Sequence, residues 1–441
     1  MRANRKPLPL EEFEAAIVDL TEEGRGVARV EGKVVFVEGA LPGEQVKYRL
    51  TRKRRDADEG EVTAILTPSP DRVAPPCPHF GLCGGCSVQH LSPQAQLRLK
   101  EKQLLDALQR IGKVKPEEIA APLSGPTWGY RRRARLSVKH VPKKGRVLVG
   151  FRERLSPFVA AIDSCAVLDP RVGSKLKALA TLIGELSLRD QIPQIEVAAV
   201  DVVALVLRVM RPPIVDDLAK LRAFAAEHEV RFHLQPGGYD SVAPLDPIDT
   251  PLTYSPDGSD LRLEFGPTDF IQVNGEVNQR MVQQALEWLD VRAGDQVLEL
   301  FCGLGNFTLP LARAGAQVTA VEGDAGLVRR AEQNAQRNGL TARFVKSDLF
   351  TPDAHTPWLT QNYARVLLDP PRAGATEMIP HIAKSGAERI VYVSCHPGTL
   401  ARDVGALVHQ HGYRLVRAGV MDMFPHTSHV ESMALLVRDG D

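Results

Sequence analysis

The carboxyl-terminal half of the chain alternates apolar strand segments with helical segments, and this pattern restricts the fold more than any other feature. Residues 296–312 read QVLELFCGLGNFTLPLA, which predicts a strand, a Gly-x-Gly loop and a helix. More strand segments follow, separated by helix-forming stretches, of which 324–338 has capping chemistry at its start and Gly339 as a suitable stop. The alternation predicts an α/β fold with a doubly wound, mostly parallel sheet.

Polar residues stand where these strand segments end, namely Glu322, Asp348, Asp369 and Cys395. Open α/β sheets bind ligands at the carboxyl ends of their strands, so we expect the active site along this edge. Gly303 and Gly305 let the backbone approach a ligand closely, and an acid after the next strand suits the two hydroxyls of a ribose. The combination favours a nucleoside cofactor, and the alternative is a tight strand-to-helix turn without a ligand.

The motif VYVSCHPGTLARD places Cys395 at the end of a buried strand. A thiolate is the strongest nucleophile among the common side chains, so Cys395 is a candidate attacking group. The alternative is an inert buried thiol. Cys302 is a rival nucleophile, although we interpret it as packing beneath the glycine loop. Glu431, in a loop before the last strand, is a candidate base or else a solvated charge.

A second group of cysteines lies near residue 80, within ten residues of one another: Cys77, Cys83 and Cys86. Cys165 is the candidate for a fourth ligand. Four thiolates suit either zinc or an iron–sulfur cluster, and His79 or His90 is an alternative ligand in a zinc site. A disulfide pair is disfavoured because nothing else in the chain indicates an oxidising compartment.

The net charge of the 441-residue chain is only +1, but residues 127–155 carry ten Lys or Arg and one acid. If 131–140 is a strand, the side chains of Arg131, Arg133, Arg135 and Lys139 share one face, while alternate apolar residues point to a core. A sheet with one cationic face suits phosphate contacts, and a merely solvated face is the alternative.

The first seventy residues contain five short strand segments joined by turns with Gly or Pro, which predicts a small barrel. A basic hairpin tip covers residues 52–55. The length suits two to four domains. No apolar run is long enough to cross a bilayer and the amino terminus lacks a signal-peptide core, so we expect a soluble cytoplasmic protein.

The combination of FCGLGNFTL, LDPPR, VSCHPGTLARD and HVES resembles the RNA (uracil-5-)-methyltransferase family, and the resemblance covers nearly the whole chain. The resemblance implies a class I (Rossmann-like) methyltransferase domain that uses S-adenosylmethionine. It also implies that the partner is ribosomal RNA, namely 23S rRNA. The segment GRGVARVEGKVVFVEGALPGE resembles a TRAM domain, an OB-like RNA-binding module. His396, where the family leads us to expect Asn or another polar residue, and Asp348, where an amide is an alternative, are small departures.

The resemblance implies a role for each matching residue. Cys395 would add to C6 of uracil, which makes C5 nucleophilic, and Glu431 would remove the C5 proton after methyl transfer. Asp369 would hydrogen-bond the base or help to fix the cofactor. The cofactor surroundings would be Gln272, Phe301, Asn306, Glu322, Asp348 and Asp369. A 4Fe-4S cluster would be bound by Cys77, Cys83, Cys86 and Cys165, more for stability than for redox catalysis.

The predicted domains are a TRAM-like barrel (1–72), a central α+β domain that binds the cluster and RNA (73–92 and 125–265) and the catalytic domain (93–124 and 266–441). We expect a monomer. The alternatives are a transfer RNA uracil-5-methyltransferase, a non-catalytic RNA-binding factor and a radical methylthiotransferase, which needs a Cys-x3-Cys-x2-Cys loop. A methyltransferase for exocyclic amines is disfavoured because Arg372, not an aromatic residue, follows Asp-Pro-Pro.

Overall fold

The computed structural model describes residues 11–247, 250–353 and 356–439. Its contacts divide the chain into two units. One unit holds the described residues up to Lys100, together with Arg152–Phe158 and Phe424–His429. The other holds Glu101–Phe151, Val159–Met423 and the described residues from Val430 onwards.

The first unit contains a six-stranded sheet in the order β1-β5-β6-β4-β3-β2. The strands are β1 (Glu12–Ala16), β2 (Asp19–Leu20), β3 (Gly26–Val30), β4 (Lys33–Glu38), β5 (Gln45–Arg52) and β6 (Ala57–Thr67). The first predicted strand, residues 15–20, is instead two pieces, because Ile17 N–H donates to the Glu44 carbonyl and Val18 N–H to the Val27 carbonyl. The chain changes its pairing partner at this point, so the strand is interrupted.

The predicted helix near 93–111 is confirmed as α1 (Pro93–Ala107), which continues into one π-helical turn, Leu108–Gly112. Leu104 and Leu108 are buried in the core of the second unit. The short strand β7 (Glu118–Ile119) follows.

The second unit begins with a mixed sheet in the order β13-β12-β11-β10-β8-β9. Its elements are β8 (Arg133–Val141), β9 (Arg146–Gly150), α2 (Pro170–Gly173), α3 (Leu176–Glu185), β10 (Gln194–Ala199), β11 (Val203–Arg208), α4 (Val215–His228), β12 (Val230–Gln235) and β13 (Ala243–Pro244). The apolar run 195–209, predicted as strand, is an antiparallel hairpin of β10 and β11. A separate hairpin joins β14 (Leu252–Tyr254) to β15 (Leu263–Phe265).

The largest sheet has eight strands in the order β18-β17-β16-β19-β20-β22-β21-β7. Its remaining elements are α5 (Gly275–Leu289), β16 (Gln296–Leu300), α6 (Thr308–Arg313), β17 (Gln317–Glu322), α7 (Ala325–Arg337), β18 (Arg343–Lys346), β19 (Arg365–Leu368), α8 (Ile379–Lys384), β20 (Arg389–Ser394), α9 (Pro397–His411), β21 (Tyr413–Met421) and β22 (Glu431–Arg438). Short 3₁₀ turns cover Pro142–Lys144, Tyr239–Ser241, Pro357–Thr360 and Thr376–Met378.

The strands β16 to β20 pair in parallel, so the predicted Rossmann-like α/β sheet is confirmed. The chain proceeds outward from β16 to β18 and then returns to the other side of β16 as β19. This reversal makes the carboxyl ends of β16 and β19 the switch point, where such sheets bind ligands.

The predicted division into three domains stays a prediction, since the structure groups the chain differently. The barrel and the loop with the first three cysteines share one unit, and the central and largest sheets share the other. The first ten residues of the predicted barrel lie outside the described residues. In the part of the chain that is described, no helix combines the length and apolarity that crossing a bilayer requires.

Candidate active site

Sheet register brings Cys395 and Glu431 together. In the antiparallel pair of β20 and β22, Ser394 lies opposite Ser432. Cys395 is the next residue after Ser394 and Glu431 is the residue before Ser432, so both stand at the same edge of the sheet. Asp369 follows β19, which pairs in parallel with β20, and therefore ends at that edge as well.

The electrostatics show that these side chains act on one another. Burial raises the pKa of Asp369 to about 7, and the Glu431 carboxylate adds to that shift. Burial also raises the pKa of the Cys395 thiol to about 11, with further contributions from Glu431 and Asp369, while Arg372 opposes the rise. The thiol is therefore protonated at neutral pH in the protein alone, and its ionisation depends on neighbouring charges and on a proton acceptor.

The backbone around Cys395 is fixed by its neighbours. His396 N–H donates to Ser394 Oγ at 3.1 Å, and His396 Nδ1 accepts from Thr399 N–H at 3.2 Å, which caps α9. Glu431 is 7% exposed and Cys395 is half-buried. The Cys395 residue is therefore partly accessible to a ligand, whereas Glu431 is buried.

The loop after β16 has the backbone freedom expected of a ligand-binding turn. Phe301, Gly303 and Gly305 all have positive φ angles, of 62°, 57° and 95°. The Glu322 carboxylate accepts Gly303 N–H at 3.1 Å and Asp324 N–H at 3.0 Å, so it ties the glycine loop to the end of β17. Because each carboxylate oxygen can accept more than one hydrogen bond, Glu322 keeps acceptor capacity for ribose hydroxyls.

Asn306 is held by two residues that the sequence did not single out. Its amide exchanges hydrogen bonds with the Asn278 amide, and its Oδ1 also accepts from the Tyr254 hydroxyl at 3.2 Å. The Arg132 guanidinium lies over the Tyr254 ring at 4.9 Å and its Nε donates to the Gln272 carbonyl at 2.8 Å. No sequence signal marked Tyr254 or Asn278, since only the fold places them beside the glycine loop.

Asp348 lies beyond β18, towards the outer side of the same edge, and is exposed. The N–H of Phe350 and the hydroxyl of Thr351 both donate to its carboxylate, and in that order they lower the pKa of Asp348. The Phe350 ring, which is 41% exposed, lies 5.9 Å from the Phe301 ring. Phe350 is a third residue, after Tyr254 and Asn278, that the sequence analysis did not single out.

Cys302 is packed under the glycine loop, as the sequence led us to expect. It is 4% exposed, and burial, Glu299 and Glu322 raise the pKa of its thiol well above the usual value. Glu299 is itself buried beneath the loop and accepts from the Thr308 hydroxyl at 2.6 Å. This environment disfavours a thiolate at position 302.

The loop with three cysteines is compact. His79 O accepts the Cys83 N–H at 2.9 Å, and Gly85 N–H donates to Cys83 Sγ at 3.4 Å. Gly84 N–H donates to the Arg152 carbonyl at 2.9 Å, and a Cβ at Gly84 would lie 3.1 Å from that oxygen, so only glycine fits without adjustment. The cysteine side chains are half-buried, a state suited to ligands at the rim of a metal centre.

Cys165 lies in the other unit and is half-buried too. Its N–H donates to the Gly173 carbonyl at 2.9 Å. Within the described ranges, no three His, Cys, Asp or Glu side chains are grouped closely enough to hold a metal ion. The iron–sulfur cluster therefore stays a prediction from the cysteine pattern.

The cationic face predicted for 131–140 is only partly available. The apolar alternation is confirmed, but the strand begins at Arg133, whose side chain is only 12% exposed, ion-pairs with Glu196 at 3.6 Å and donates to two carbonyls. Arg135 also contacts Glu196, at 3.2 Å, yet remains exposed. Glu196 lies directly opposite Arg135 on β10, and sequence patterning could not reveal it. Arg135 and Lys139 therefore keep the exposed positions on this face.

Two family models together match most of the chain. A model described as tRNA (uracil-5-)-methyltransferase matches residues 94–346 and 358–439, and a TRAM domain model matches residues 9–63. A solved structure from Pyrococcus abyssi, a tRNA (uracil-54, C5)-methyltransferase in complex with S-adenosyl-L-homocysteine, is similar with a TM-score of 0.73. Its identity is 24%, with 96% of this chain and 100% of that chain covered, so it shows a common fold.

Curated relatives are similar over their full lengths. The 23S rRNA (uracil(1939)-C(5))-methyltransferase RlmD of Alkalilimnicola ehrlichii is 54% identical, with 100% of both chains covered. The protein of the same name from Methylococcus capsulatus is 50% identical, with 99% of each chain covered. The chain thus belongs to the RNA (uracil-5-)-methyltransferase family and carries a TRAM domain.

Proposed function

We propose that this enzyme transfers a methyl group from S-adenosylmethionine to C5 of a uridine in 23S ribosomal RNA. The observation that carries the proposal is the meeting of Cys395, Glu431 and Asp369 at one sheet edge. The relatives named above, which are 54% and 50% identical to this chain over nearly its whole length, support ribosomal RNA as the substrate. A ribosomal substrate would also put the enzyme in the cytoplasm.

Cys395 forms a bond from its sulfur to C6 of the uracil, and the electron pair of the C5–C6 double bond moves towards O4. S-adenosylmethionine, when bound, would supply the methyl carbon that C5 attacks, and the bond from that carbon to the sulfonium sulfur would break. Glu431 takes the proton from C5, the C5–C6 double bond re-forms and the thiolate leaves C6. The proton that the Cys395 thiol gives up to solvent before the attack returns to the thiolate after it leaves C6, so one proton, that of C5, is released overall and the step balances.

S-adenosylmethionine supplies an electrophilic methyl group, and the chain's own residues hold it. We propose that Glu322 binds the ribose, that Asp348 and Phe350 border the adenine and that Asn306, Gln272 and Phe301 complete the surroundings. Asp369, whose pKa is raised to about 7, is partly protonated near neutral pH and so can donate to a uracil carbonyl.

The Glu431→Gln variant tests the chemistry. Without a carboxylate, the C5 proton stays and the thiol cannot leave, so a covalent protein–RNA adduct should accumulate. Denaturing electrophoresis with labelled 23S rRNA fragment would show it as a slower band. The band should be absent in Glu431→Gln combined with Cys395→Ala. Normal turnover by Glu431→Gln would contradict the assigned base.

The target uridine must leave its stack to reach Cys395, at a cost of a few kcal/mol. We propose that the TRAM domain and the exposed cations Arg135 and Lys139 offset that cost through contacts to the RNA backbone. Mapping 5-methyluridine in ribosomal and transfer RNA from a deletion strain would identify the substrate. Loss confined to transfer RNA would favour the alternative substrate.

We propose that Cys77, Cys83, Cys86 and Cys165 hold a 4Fe-4S cluster. Three of these thiols lie on one loop, where Gly84 allows close packing against the Arg152 carbonyl, and thiolates are the donors that such a cluster requires. Protein purified without oxygen should contain iron and acid-labile sulfide and absorb visible light, and Cys86→Ala should lose these signals. Stoichiometric zinc without sulfide would contradict the cluster.

A further inference from the structure

Asp403, on α9, is buried and accepts hydrogen bonds from several separate parts of the catalytic sheet. Its carboxylate accepts the Tyr392 hydroxyl at 2.7 Å, Ala375 N–H at 2.8 Å and the Thr376 hydroxyl at 3.0 Å. Arg402 Nε donates to it at 2.8 Å. The Asp403 side chain is 1% exposed, so water cannot replace these hydrogen bonds, and losing one of them costs free energy of folding.

The donors lie on segments that carry active-site groups. Tyr392 is on β20, three residues before Cys395. Ala375 and Thr376 end the loop that begins after Asp369 and contains Arg372. The Asp403 carboxylate therefore joins that loop to β20 and to α9, which begins two residues after Cys395.

The loop packs tightly on Asp403. Gly374 has a φ of +81°, and a Cβ there would lie 2.5 Å from Arg402 Nη2 and 2.6 Å from Asp403 Oδ2. Arg402 Nη2 also donates to the Ala373 carbonyl at 2.9 Å, and Gly374 N–H donates to the Pro371 carbonyl at 2.8 Å. The Arg402–Asp403 pair thus holds the loop at residues 373–376, and the loop's own hydrogen bond from Gly374 to Pro371 extends this order towards Arg372.

We propose that Asp403 is a positioning residue that, by anchoring the loop between β19 and α8, keeps Arg372 at the sheet edge where Cys395 lies. This inference rests on the proposed role of Cys395 as nucleophile. The charges that act on the Cys395 thiol are Glu431 and Asp369, which raise its pKa, and Arg372, which lowers it. Arg372 favours the thiolate only while the loop holds it in place.

The direction in which the pKa of the Cys395 thiol changes distinguishes positioning through the loop from a direct electrostatic effect of Asp403. Removing the negative charge of Asp403 would, by its field alone, lower the pKa of the Cys395 thiol. Releasing the loop and its arginine raises that pKa. A rise after neutralisation of Asp403 is therefore specific to positioning.

The experiment compares Asp403→Asn, Arg372→Ala and the double variant. Iodoacetamide alkylation of the peptide that contains Cys395 is followed by mass spectrometry across pH. We expect Asp403→Asn to move the titration to higher pH and to slow alkylation at pH 8 by about three- to tenfold, since one pKa unit is tenfold in thiolate. The double variant should be no slower than Arg372→Ala, and kcat should fall more than KM for RNA rises.

Leu407→Ala is the matched control, because Leu407 is buried on the same helix and its loss leaves a cavity. It should lower the melting temperature without moving the thiol titration. If Asp403→Asn behaves like Leu407→Ala, or lowers the thiol pKa, the proposal is overturned. A titration shift in Asp403→Asn together with full methyl transfer by Cys395→Ala would instead refute the role of Cys395 and keep the positioning.

Discussion

The ends of β16 and β20 are built from the same parts, but they place their cysteines in different environments. Both strands are buried in the same eight-stranded sheet, and a cysteine and a helix follow each of them. Cys302 is 4% exposed beside Glu299 and Glu322, which add to the rise of its thiol pKa caused by burial. Cys395 is half-buried and has Arg372 among its neighbours, which opposes the rise. Exposure and one cation, rather than the strand-end position, distinguish the proposed nucleophile Cys395 from the buried thiol of Cys302.

The largest expected effect is on activity. Cys395→Ala should lower kcat by more than about a thousandfold, because the covalent route is lost. Cys302→Ala should stay within about threefold, since it removes one buried sulfur and costs about 1 kcal/mol of stability. Methyl transfer from labelled S-adenosylmethionine to 23S rRNA fragment measures both. A Cys302→Ala variant that is fully folded but inactive would contradict the packing role assigned to Cys302.

The second prediction concerns the buried acid beneath Cys302. Burial raises the pKa of Glu299 to about 8 from 4.5, so the folded protein binds this proton more tightly than the unfolded chain does. Stability contributed by this group is therefore present below pH 4.5 and is lost as the pH rises towards 8. Glu299→Gln removes that loss, so its free energy of unfolding at pH 8 should exceed that of the parent by about 1–3 kcal/mol.

Urea unfolding of both proteins between pH 5 and pH 9 tests this. The two curves should converge towards acid pH and separate towards alkaline pH. Glu287→Gln, an exposed position on α5, is the control and should follow the parent throughout. An equal offset at every pH would mean that Glu299 does not titrate in this range.

The smallest expected effect concerns the start of α9. His396 caps that helix through Nδ1, and asparagine caps helices equally well. His396→Asn should change kcat by less than about twofold, whereas His396→Ala should cost about 1 kcal/mol of stability. Melting curves and initial rates of the two variants test this. A large loss in His396→Asn would give the imidazole a part in the reaction.

Local signals in the sequence predicted local structure well. Asp324 caps α7 by accepting from Gly326 and Leu327 N–H groups, as the capping pattern indicated. The apolar run 195–209 was less informative, because hydrophobicity does not mark where a buried chain reverses, and the structure turns it back at Val200–Val202. Capping chemistry is encoded within a few residues, whereas a reversal inside an apolar run depends on the sheet it joins.

The sequence by itself determined the alternation of strands and helices, the polar residues at one sheet edge and the family. These depend on residue type and spacing along the chain. Only the tertiary structure decided which side chains neutralise one another. Arg133 pairs with Glu196, and Asp403 reaches the loop after Asp369, across sequence separations that no local pattern spans. Electrostatic environment depends on distance in space and on burial, so it is fixed when the sheet register and helix packing are fixed.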